Sequence, residues 1–255
     1  MVDIPVPLPR DPKQRPRTGF SFARFCIPKL VNYSGRAIYM DADMLVLRDI
    51  SDLWNISMEG HKVLIQRELK NDEARAPKKR IKQCAVMLLD CGRLDWKIEE
   101  VVAGLDAGKY TYEDLVYQLC LMAPDEIGYD IPFEWNSLER LEGNTCNIHY
   151  TDMPTQPWVS SLNVNDDIWL EEIRLMLADR TLSEAELQEE IQLGYFRPSL
   201  LVDLKLRSFI PKMILPTWRK LLKWTDRAMG YVAHRVLGET MRARSRPFSA
   251  MIADS

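Results

Sequence analysis

Short apolar runs separated by polar residues dominate the pattern between residues 36 and 90. Runs rich in Val, Ile, Leu and Met are typical of strands that are buried on both faces. We predict strands at 37–40 (AIYM), 62–68 (KVLIQRE) and 85–90 (AVMLLD), with 44–47 (MLVL) continuing the first in extended form. The charged segment 71–83 is predicted to be a loop.

Helical periodicity appears on either side of these strands. Apolar side chains recur at helical spacing in residues 19–33, where Pro28 is expected to end or kink the helix. We predict further helices at 92–108, 112–123, 166–180 and 183–195. Ser183 and Glu186 have the spacing of a capping box. This order of strands and helices predicts an α/β fold.

Composition divides the chain into four parts. Residues 1–18 are rich in proline and lack periodicity, so we expect an extended lead-in. Residues 19–160 hold the predicted strands and are expected to form the catalytic domain. A helical extension over residues 161–202 and a basic amphipathic tail over residues 203–255 complete the chain.

Cysteine usage and hydropathy bear on the cellular compartment. The five cysteines form no CxxC pair, and those in apolar runs are expected to act as small hydrophobes in a reducing cytosol. No stretch approaches the roughly 20 apolar residues that span a bilayer. The first residues also lack the apolar core of a signal peptide. We therefore expect a cytoplasmic protein, either soluble or peripheral on the inner face of the membrane.

Charge is distributed unevenly along the chain. The formal net charge is -3. Residues 203–255 contain 11 Lys and Arg and 4 Asp and Glu, whereas residues 1–202 contain 23 Lys and Arg and 33 Asp and Glu. Tryptophans and aliphatic residues between the basic residues of the tail are typical of an interfacial helix on anionic lipid. The alternative is a C-terminal helix packed on the domain with its arginines in water. The acidic body argues against nucleic acid as a partner.

Two carboxylates interrupt the apolar sequence between residues 36 and 47. On a regular strand Asp41 and Asp43 share a face, with Ala42 on the other. Two carboxylates buried together need a counter-charge, because their mutual repulsion otherwise keeps one of them protonated. A divalent cation that takes oxygen ligands, such as Mg²⁺ or Mn²⁺, meets this need. The alternative is a strand end at which both aspartates cap a turn in water.

Phosphohydrolases of the HAD type offer one interpretation of an apolar strand that ends in DxD. In that interpretation Asp41 is the nucleophile. The fifth position of their motif is Thr or Val, whereas this chain has Leu45, and no later apolar strand ends in the residues that complete such a site. We keep this function as the less favoured alternative.

A series of blocks along residues 18–160 matches a second family. The blocks are FSFARFCIPKLVNYSGRAIYMDADMLVLRDISDLW, AVMLLD, FEWN and NIHYTDMPTQPW. In order and spacing they resemble the GT-A glycosyltransferases of family eight, which are related to glycogenin and to the bacterial lipopolysaccharide galactosyl- and glucosyltransferases. The resemblance implies a truncated, Rossmann-like nucleotide-diphospho-sugar transferase sheet flanked by helices. It also implies that a hexose is transferred with retention from a UDP-sugar donor to a glycan or lipid-linked acceptor.

The resemblance further implies a metal site. Asp41, Asp43 and His149 fall on the positions that hold Mn²⁺, or Mg²⁺, in that family. The ion grips the diphosphate of the donor, and two carboxylates with one imidazole suit Mn²⁺ better than Ca²⁺. Only its place in NIHYTDMPTQPW singles out His149, and a hydrogen-bonded core histidine is the alternative.

Other site residues follow from the same blocks. Arg24 falls where the family has an arginine that contacts the phosphate or sugar of the donor, to which a guanidinium gives bidentate reach. Glu113 and Asp114 fall beside the reacting face of the sugar as catalytic residues, although a helix dipole also favours two acids at a helix start. The remaining predicted substrate-binding residues are Gln83, Asn136, Gln156 and Trp158.

The chain departs from the family pattern in several places. Relatives carry a strand and helix that bind uridine well upstream of DxD, and that unit is expected to be missing here. The segment 83–85 (QCA) replaces Asn-Ser/Ala-Gly, Asp152 replaces a glycine, and Gln156 replaces a phosphate-binding lysine. Two hypotheses follow: an active glycosyltransferase, and a catalytically impaired pseudo-glycosyltransferase or fragment that acts as a membrane-associated scaffold.

Overall fold

The protein divides into two compact units. The computed structural model describes residues 6–16, 21–66 and 83–235. The first unit contains the described residues up to Ser137 and the segment Glu142–Ile148, and the second contains Leu138–Leu141 and residues 149–235. Most of the charged loop predicted at 71–83, and the part of the basic tail after residue 235, lie outside the described residues.

Seven strands form two sheets in the described part of the chain. They are β1 (Arg36–Met40), β2 (Met44–Val46), β3 (Val63–Gln66), β4 (Gln83–Asp90), β5 (Ile127–Ile131), β6 (Ser137–Leu138) and β7 (Asn147–His149). The larger sheet has the order β1-β4-β3-β5, and the smaller has the order β2-β7-β6. Strand β4 is antiparallel to β1 and β3, whereas β3 and β5 are parallel.

This pairing brings several chain segments to one edge of the larger sheet. Strands β1, β3 and β5 end at the edge where β4 begins. In open α/β sheets, ligands commonly bind outside the carboxyl ends of the strands. The residues that follow β1, that end β3 and that open β4 therefore lie where a ligand site is expected.

Burial on both faces of β4 explains its uninterrupted apolar run. Met87 and Leu89 belong to one hydrophobic cluster, whereas Val86 and Leu88 belong to another. Successive strand residues point to opposite faces, so each face of β4 contributes to a separate part of the core. The strand predicted at 85–90 is confirmed.

Eight α-helices lie in the described residues. They are α1 (Ile27–Leu30), α2 (Ile50–Trp54), α3 (Ile98–Asp106), α4 (Tyr112–Gln118), α5 (Asp166–Ala178), α6 (Glu184–Gln192), α7 (Leu200–Leu206) and α8 (Leu215–Ala228). Short 3₁₀ turns occur at Pro12–Gln14, Ala23–Cys26, Pro124–Glu126, Phe133–Asn136, Met153–Thr155 and Arg207–Phe209. None of the described helices has the length and apolar character needed to cross a bilayer.

Two predicted helix ends differ from the structure. Pro28 lies in the first turn of α1 rather than at a helix end, because its missing N–H costs nothing at that position. Helix α4 ends at Gln118, whereas the sequence predicts a helix that continues to residue 123. Leu119 follows with a φ of 49°, a left-handed conformation that stops the helix.

Two further elements differ from the sequence prediction. Helix α3 begins at Ile98 rather than at residue 92, and Leu94 and Trp96 are both buried from an irregular segment that precedes it. The 44–47 segment is extended as predicted. However, β2 belongs to the second sheet and does not continue β1.

The second unit is largely helical. Helices α5 and α6 confirm the segments predicted at 166–180 and 183–195, and the capping box between Ser183 and Glu186 is present. The buried core of this unit is formed by Leu170, Ile173, Leu187, Leu200 and Leu204. With the mixed sheet of the first unit, these helices confirm the predicted α/β class.

Candidate metal centre

Asp41 and Asp43 lie in the connection between β1 and β2. The backbone N–H of Asp41 donates to the carbonyl of Ala85 at 2.9 Å, so hydrogen bonding to β4 continues one residue beyond β1. The chain then bends through Ala42 and Asp43 before β2 begins. The two aspartates therefore lie on a bend, which corrects the regular strand geometry expected from the sequence.

His149 is the last residue of β7, which begins in the first unit. Strand β7 is hydrogen-bonded to β2, the strand that follows the two aspartates. The N–H of Leu47 donates to the carbonyl of Cys146 at 2.8 Å, and the side-chain amide of Asn147 donates to the carbonyl of Trp135 at 2.9 Å. These bonds fix the course of β7. His149 is buried at its end, with 3% exposure.

The three predicted metal ligands lie together. One carboxylate oxygen of Asp41, one of Asp43 and one ring nitrogen of His149 are within 4.8 Å of one another. Two ligand atoms on opposite sides of an ion, each about 2.1 Å from it, are about 4.2 Å apart. The three atoms are thus near the spacing that one divalent cation requires. Two carboxylate oxygens and an imidazole nitrogen form a donor set that suits Mn²⁺ or Mg²⁺.

Arg24 supplies a counter-charge to one of these carboxylates. Its guanidinium is 5% exposed and donates to Oδ1 of Asp41 at 3.3 Å, to the hydroxyl of Tyr39 at 2.9 Å and to the carbonyl of Cys84 at 3.0 Å. It also lies 4.4 Å from the centre of the Tyr39 ring. Arg24 therefore connects β1, the start of β4 and the metal-ligand loop. Its predicted contact with a donor stays a prediction.

Tyr39 is a residue that the sequence analysis missed. Its hydroxyl donates to Oδ1 of Asp41 at 2.5 Å. Burial, chiefly, raises the pKa of the Tyr39 phenol, and the charge of Asp41 adds to this effect, so the hydroxyl keeps its proton and acts as a donor. Its spacing could have identified it. Residues two apart on a strand share a face, and Tyr39 precedes Asp41 by two residues.

Buried amides lie at the same edge of the larger sheet. The side chain of Asn136 donates to Oε1 of Gln66 at 2.6 Å, and both residues are 1% exposed. Gln66 ends β3 and pairs with Gln83, which opens β4 and is 4% exposed. The structure thus links two predicted substrate-binding residues through Gln66. Gln66 was not singled out from the sequence, because a polar residue at the end of an apolar strand is common.

Gln156 and Trp158 have defined contacts within the second unit. The side-chain amide of Gln156 donates to the carbonyl of Tyr150 at 2.7 Å and is buried. The Trp158 ring meets the Tyr150 ring edge to face at 5.9 Å. Both residues thus order the chain that follows His149. Their predicted contacts with the donor remain predictions.

Glu113 and Asp114 lie in the first turn of α4. Asp114 accepts hydrogen bonds from the N–H of Thr111 at 2.9 Å and from its hydroxyl at 2.7 Å, and these bonds lower the pKa of the Asp114 carboxyl. Together with the bond from the Asp114 N–H to Thr111, they form a capping box. Asp114 therefore caps the start of α4, which is the alternative that the sequence left open. The catalytic role of Glu113 and Asp114 remains a prediction.

A known family matches the sequence that contains the two aspartates. Residues 10–87 fit the family described as Glycosyl transferase family 8. This segment is therefore similar to glycosyl transferase family 8. The family 8 segment includes Arg24, Asp41, Asp43 and Gln83, and it confirms the resemblance predicted from the sequence. His149 lies beyond it, so the case for His149 rests on its position beside the aspartates.

Individual relatives of the chain are distant. Protein CDI of Arabidopsis thaliana is 26% identical over 185 residues, which cover 64% of this chain and 68% of the relative. The apo form of the glycosyltransferase GlyE of Streptococcus pneumoniae TIGR4 is 19% identical, with a TM-score of 0.44 over 60% of this chain and 42% of GlyE. The galactosyltransferase LgtC, solved with donor and acceptor sugar analogs, is 16% identical, with a TM-score of 0.44 over 59% of this chain and 65% of LgtC. The chain thus spans about two fifths of GlyE.

Proposed function

We propose that this chain carries a metal-dependent glycosyltransferase site that transfers a hexose from a UDP-sugar with retention of anomeric configuration. The observation that carries the proposal is the convergence of Asp41, Asp43 and His149 beyond the carboxyl end of β1. The family 8 assignment of residues 10–87 supports it independently, because it rests on sequence and not on side-chain positions.

In this proposal the three ligands hold Mn²⁺, or Mg²⁺ in its place. Such an ion supplies Lewis-acid stabilisation of the donor's diphosphate when it is bound. Arg24 and Tyr39 both donate to Oδ1 of Asp41. They leave Oδ2 of that carboxylate for the ion and restrict the rotation of the side chain. We therefore give Arg24 and Tyr39 the role of positioning Asp41.

The donor is proposed to lie along the edge where β3 ends and β4 begins. Gln83 and Asn136 bring buried amides to this edge, where they offer donors and acceptors for sugar hydroxyls or a base. Glu113 and Asp114 are proposed to act at the reacting face of the sugar, as the family pattern implies. Gln156 and Trp158 are proposed as donor-loop residues. The uncharged Gln156 leaves more of the diphosphate charge for the metal to balance.

A glycan or a lipid-linked glycan is the proposed acceptor. The two alternatives assign different chemistry to the same aspartates. An impaired relative that serves as a scaffold would not couple metal binding to nucleotide binding. A phosphohydrolase would use Asp41 as its nucleophile, yet Oδ1 of Asp41 already accepts hydrogen bonds from Arg24 and Tyr39, which reduce its nucleophilicity.

Calorimetry of UDP binding, with and without MnCl₂, tests the proposal. We expect Mn²⁺ to raise the affinity for UDP by roughly tenfold or more, within the usual range for coupled ligands. Asp43→Asn should abolish that gain. Asp95→Asn, which removes an exposed carboxylate before α3, should preserve it and serves as the matched control.

Each other result has a defined meaning. UDP binding that is equal with and without Mn²⁺ would refute the metal-dependent site. Absence of UDP binding under both conditions would support the scaffold. Trapping of beryllofluoride at Asp41 would instead identify a phosphohydrolase.

A further inference from the structure

The last described helix, α8, has one face inside the second unit. Leu222 is 3% exposed and Asp226 is 5% exposed. Asp226 accepts hydrogen bonds from the N–H of Ser199 at 2.8 Å and from its hydroxyl at 2.9 Å. The indole N–H of Trp218 donates to Asp203 at 2.8 Å. These contacts fix the rotation of α8 about its axis.

Large apolar side chains project from the other side of α8 and from the turn that precedes it. We call this set the C-terminal surface, and its members are Phe209 (78% exposed), Met213 (87%), Ile214 (49%), Leu221 (50%) and Trp224 (67%). Ile214, Leu221 and Trp224 are spaced by seven and three residues, so they form one stripe on a helix of 3.6 residues per turn. The stripe lies away from the buried Leu222.

Basic residues flank this stripe. Lys220, Lys223 and Arg227 are spaced by three and four residues and form a second stripe beside the apolar one. Lys212, in the turn before α8, is also exposed. Helix α8 thus has three faces: one packed in the unit, one apolar and exposed, and one basic, on which Lys220 and Arg227 are exposed and Lys223 is half-buried.

The acidic residues of this region do not offset the positive charge at the surface. Residues 203–235 contain two acids, Asp203 and Asp226, and both are buried. Asp203 is fully buried and forms ion pairs with Arg197 at 2.5 Å and Arg207 at 2.8 Å. The charge that α8 presents to solvent is therefore positive.

We propose that the C-terminal surface docks on an anionic lipid bilayer. A helix with exposed Trp and Leu beside a row of Lys and Arg lies in the plane of a membrane interface, with its apolar side chains among the acyl chains and its cations at the headgroups. Charge complementarity selects anionic lipid. A protein partner fits less well, because lysine is depleted in protein interfaces and three of the four flanking cations are lysines.

The sequence allowed two interpretations of the tail, a helix packed on the domain and an interfacial helix, and α8 has features of both. Trp218 and Leu222 pack within the unit, as expected for a C-terminal helix docked on its domain. Phe209 and Trp224 face solvent, as expected for an interfacial helix. Because α8 is held by buried contacts on one face, its apolar stripe is already ordered before it meets a membrane. This lowers the entropic cost of binding.

Co-sedimentation of the full chain with vesicles tests the proposal. The vesicles contain phosphatidylcholine alone or phosphatidylcholine with phosphatidylglycerol. We expect binding to the anionic vesicles that weakens as salt is raised, and little binding to the neutral ones. Lys220→Gln combined with Lys223→Gln should weaken partitioning by roughly thirtyfold, from about fivefold for each cation near the surface. Removing two exposed cations elsewhere, with Lys109→Gln and Arg180→Gln, should have little effect and controls for net charge.

A second pair of variants tests the apolar stripe. Trp224→Ser should reduce binding to anionic vesicles, whereas Val164→Ser, at a site 76% exposed in the same unit, should not. Lys223 is half-buried and the other substituted positions are exposed, so thermal unfolding should change little and would reveal any variant that misfolds. Tryptophan fluorescence should shift to shorter wavelength with anionic vesicles, and the shift should be smaller in Trp224→Phe.

Three results would overturn the proposal. They are failure of the full chain to bind anionic vesicles, equal binding to both kinds of vesicle, and unchanged binding in the Lys220, Lys223 double variant. A dimer in light scattering that Trp224→Ser dissociates, together with no vesicle binding, would show instead that this face joins two copies of the chain. Vesicle binding does not depend on the proposed transferase activity, so UDP calorimetry and co-sedimentation can fail separately.

Discussion

The hydroxyl of Tyr39 donates to Oδ1 of Asp41 at 2.5 Å, and the guanidinium of Arg24 donates to both groups. This arrangement changes the electrostatics of the DxD motif. One of the two carboxylates is balanced by a buried arginine before any cation binds. The folded protein therefore holds a positive charge beside the DxD motif without any bound cation.

Tyr39→Phe tests the positioning of Asp41. The change removes the hydroxyl and preserves the ring on which Arg24 lies, so Asp41 should become less well oriented. Residues that hold a metal ligand typically contribute 10- to 100-fold to metal affinity, and we expect Mn²⁺ affinity to fall by roughly tenfold. Mn²⁺ titration followed by electron paramagnetic resonance measures it. Tyr33→Phe, which loses a hydroxyl bonded to the carbonyl of Trp96, is the matched control. Equal affinity in Tyr39→Phe and the wild type would show that Asp41 needs no such support.

Arg24→Met tests the structural role of the buried guanidinium. Methionine fills part of the same volume but leaves Asp41 without its counter-charge and removes one donor to the carbonyl of Cys84. Because Asp41 is 31% exposed, water compensates part of the loss, and we expect the free energy of unfolding to fall by about 2 kcal/mol. Urea unfolding measures it. Arg10→Met, at a side chain 92% exposed, should change stability by less than about 0.5 kcal/mol. A similarly small effect at Arg24 would contradict its structural role.

Asp203→Asn tests the buried ion network of the second unit. Asp203 accepts hydrogen bonds from Arg197, Arg207 and Trp218 and is fully buried. Removal of its charge leaves two buried guanidinium groups undercompensated, and we expect a loss of about 3 kcal/mol. Asp167 is another partner of Arg207, but its side chain is 56% exposed. Asp167→Asn should therefore lower the free energy of unfolding by less than about 1 kcal/mol. Equal losses in the two variants would show that burial does not set the strength of these pairs.

The same carboxyl predicts a pH dependence of stability. Burial opposes ionisation of Asp203, but hydrogen bonds from Arg207 and Trp218 and the charges of Arg197 and Arg207 outweigh burial and hold its pKa below the usual range. A depressed pKa in the folded state stabilises the fold above the unfolded pKa of about 4, and this stabilisation is lost as the pH falls below it. Urea unfolding between neutral and acidic pH should therefore show a steeper loss of stability in the wild type than in Asp203→Asn. Parallel curves would contradict this origin of the acid sensitivity, and Asp125→Asn, at an exposed site, should follow the wild type.

Part of the site could be predicted from the sequence because it follows from local pattern. The strand AIYM ends where the apolar run meets Asp41, and the block NIHYTDMPTQPW singled out His149, which lies beside the two aspartates. The bend at Ala42 was not predicted, because apolar residues on both sides of DxD have the pattern of one continuous strand. Only the pairing of β2 with β7 shows that the chain changes sheets there.

Other features depend on contacts that sequence pattern does not encode. The bond between Tyr39 and Asp41 lies beside Arg24, which donates to both residues from an earlier part of the sequence. Helical spacing places Trp218 and Trp224 on different sides of α8. Which side is buried depends on Asp203, whose carboxylate accepts the indole N–H of Trp218. For Asp114, the Thr111 cap is a local pattern, whereas proximity to a sugar depends on tertiary packing.

Anomalous X-ray diffraction from crystals soaked in MnCl₂ tests the central claim most directly. We expect one strong manganese peak, about 2.0 to 2.3 Å from a carboxylate oxygen of Asp41, one of Asp43 and a ring nitrogen of His149. The peak should disappear in crystals of Asp43→Asn. No peak at this position, or a peak on the aspartates with the His149 ring outside the coordination sphere, would contradict it.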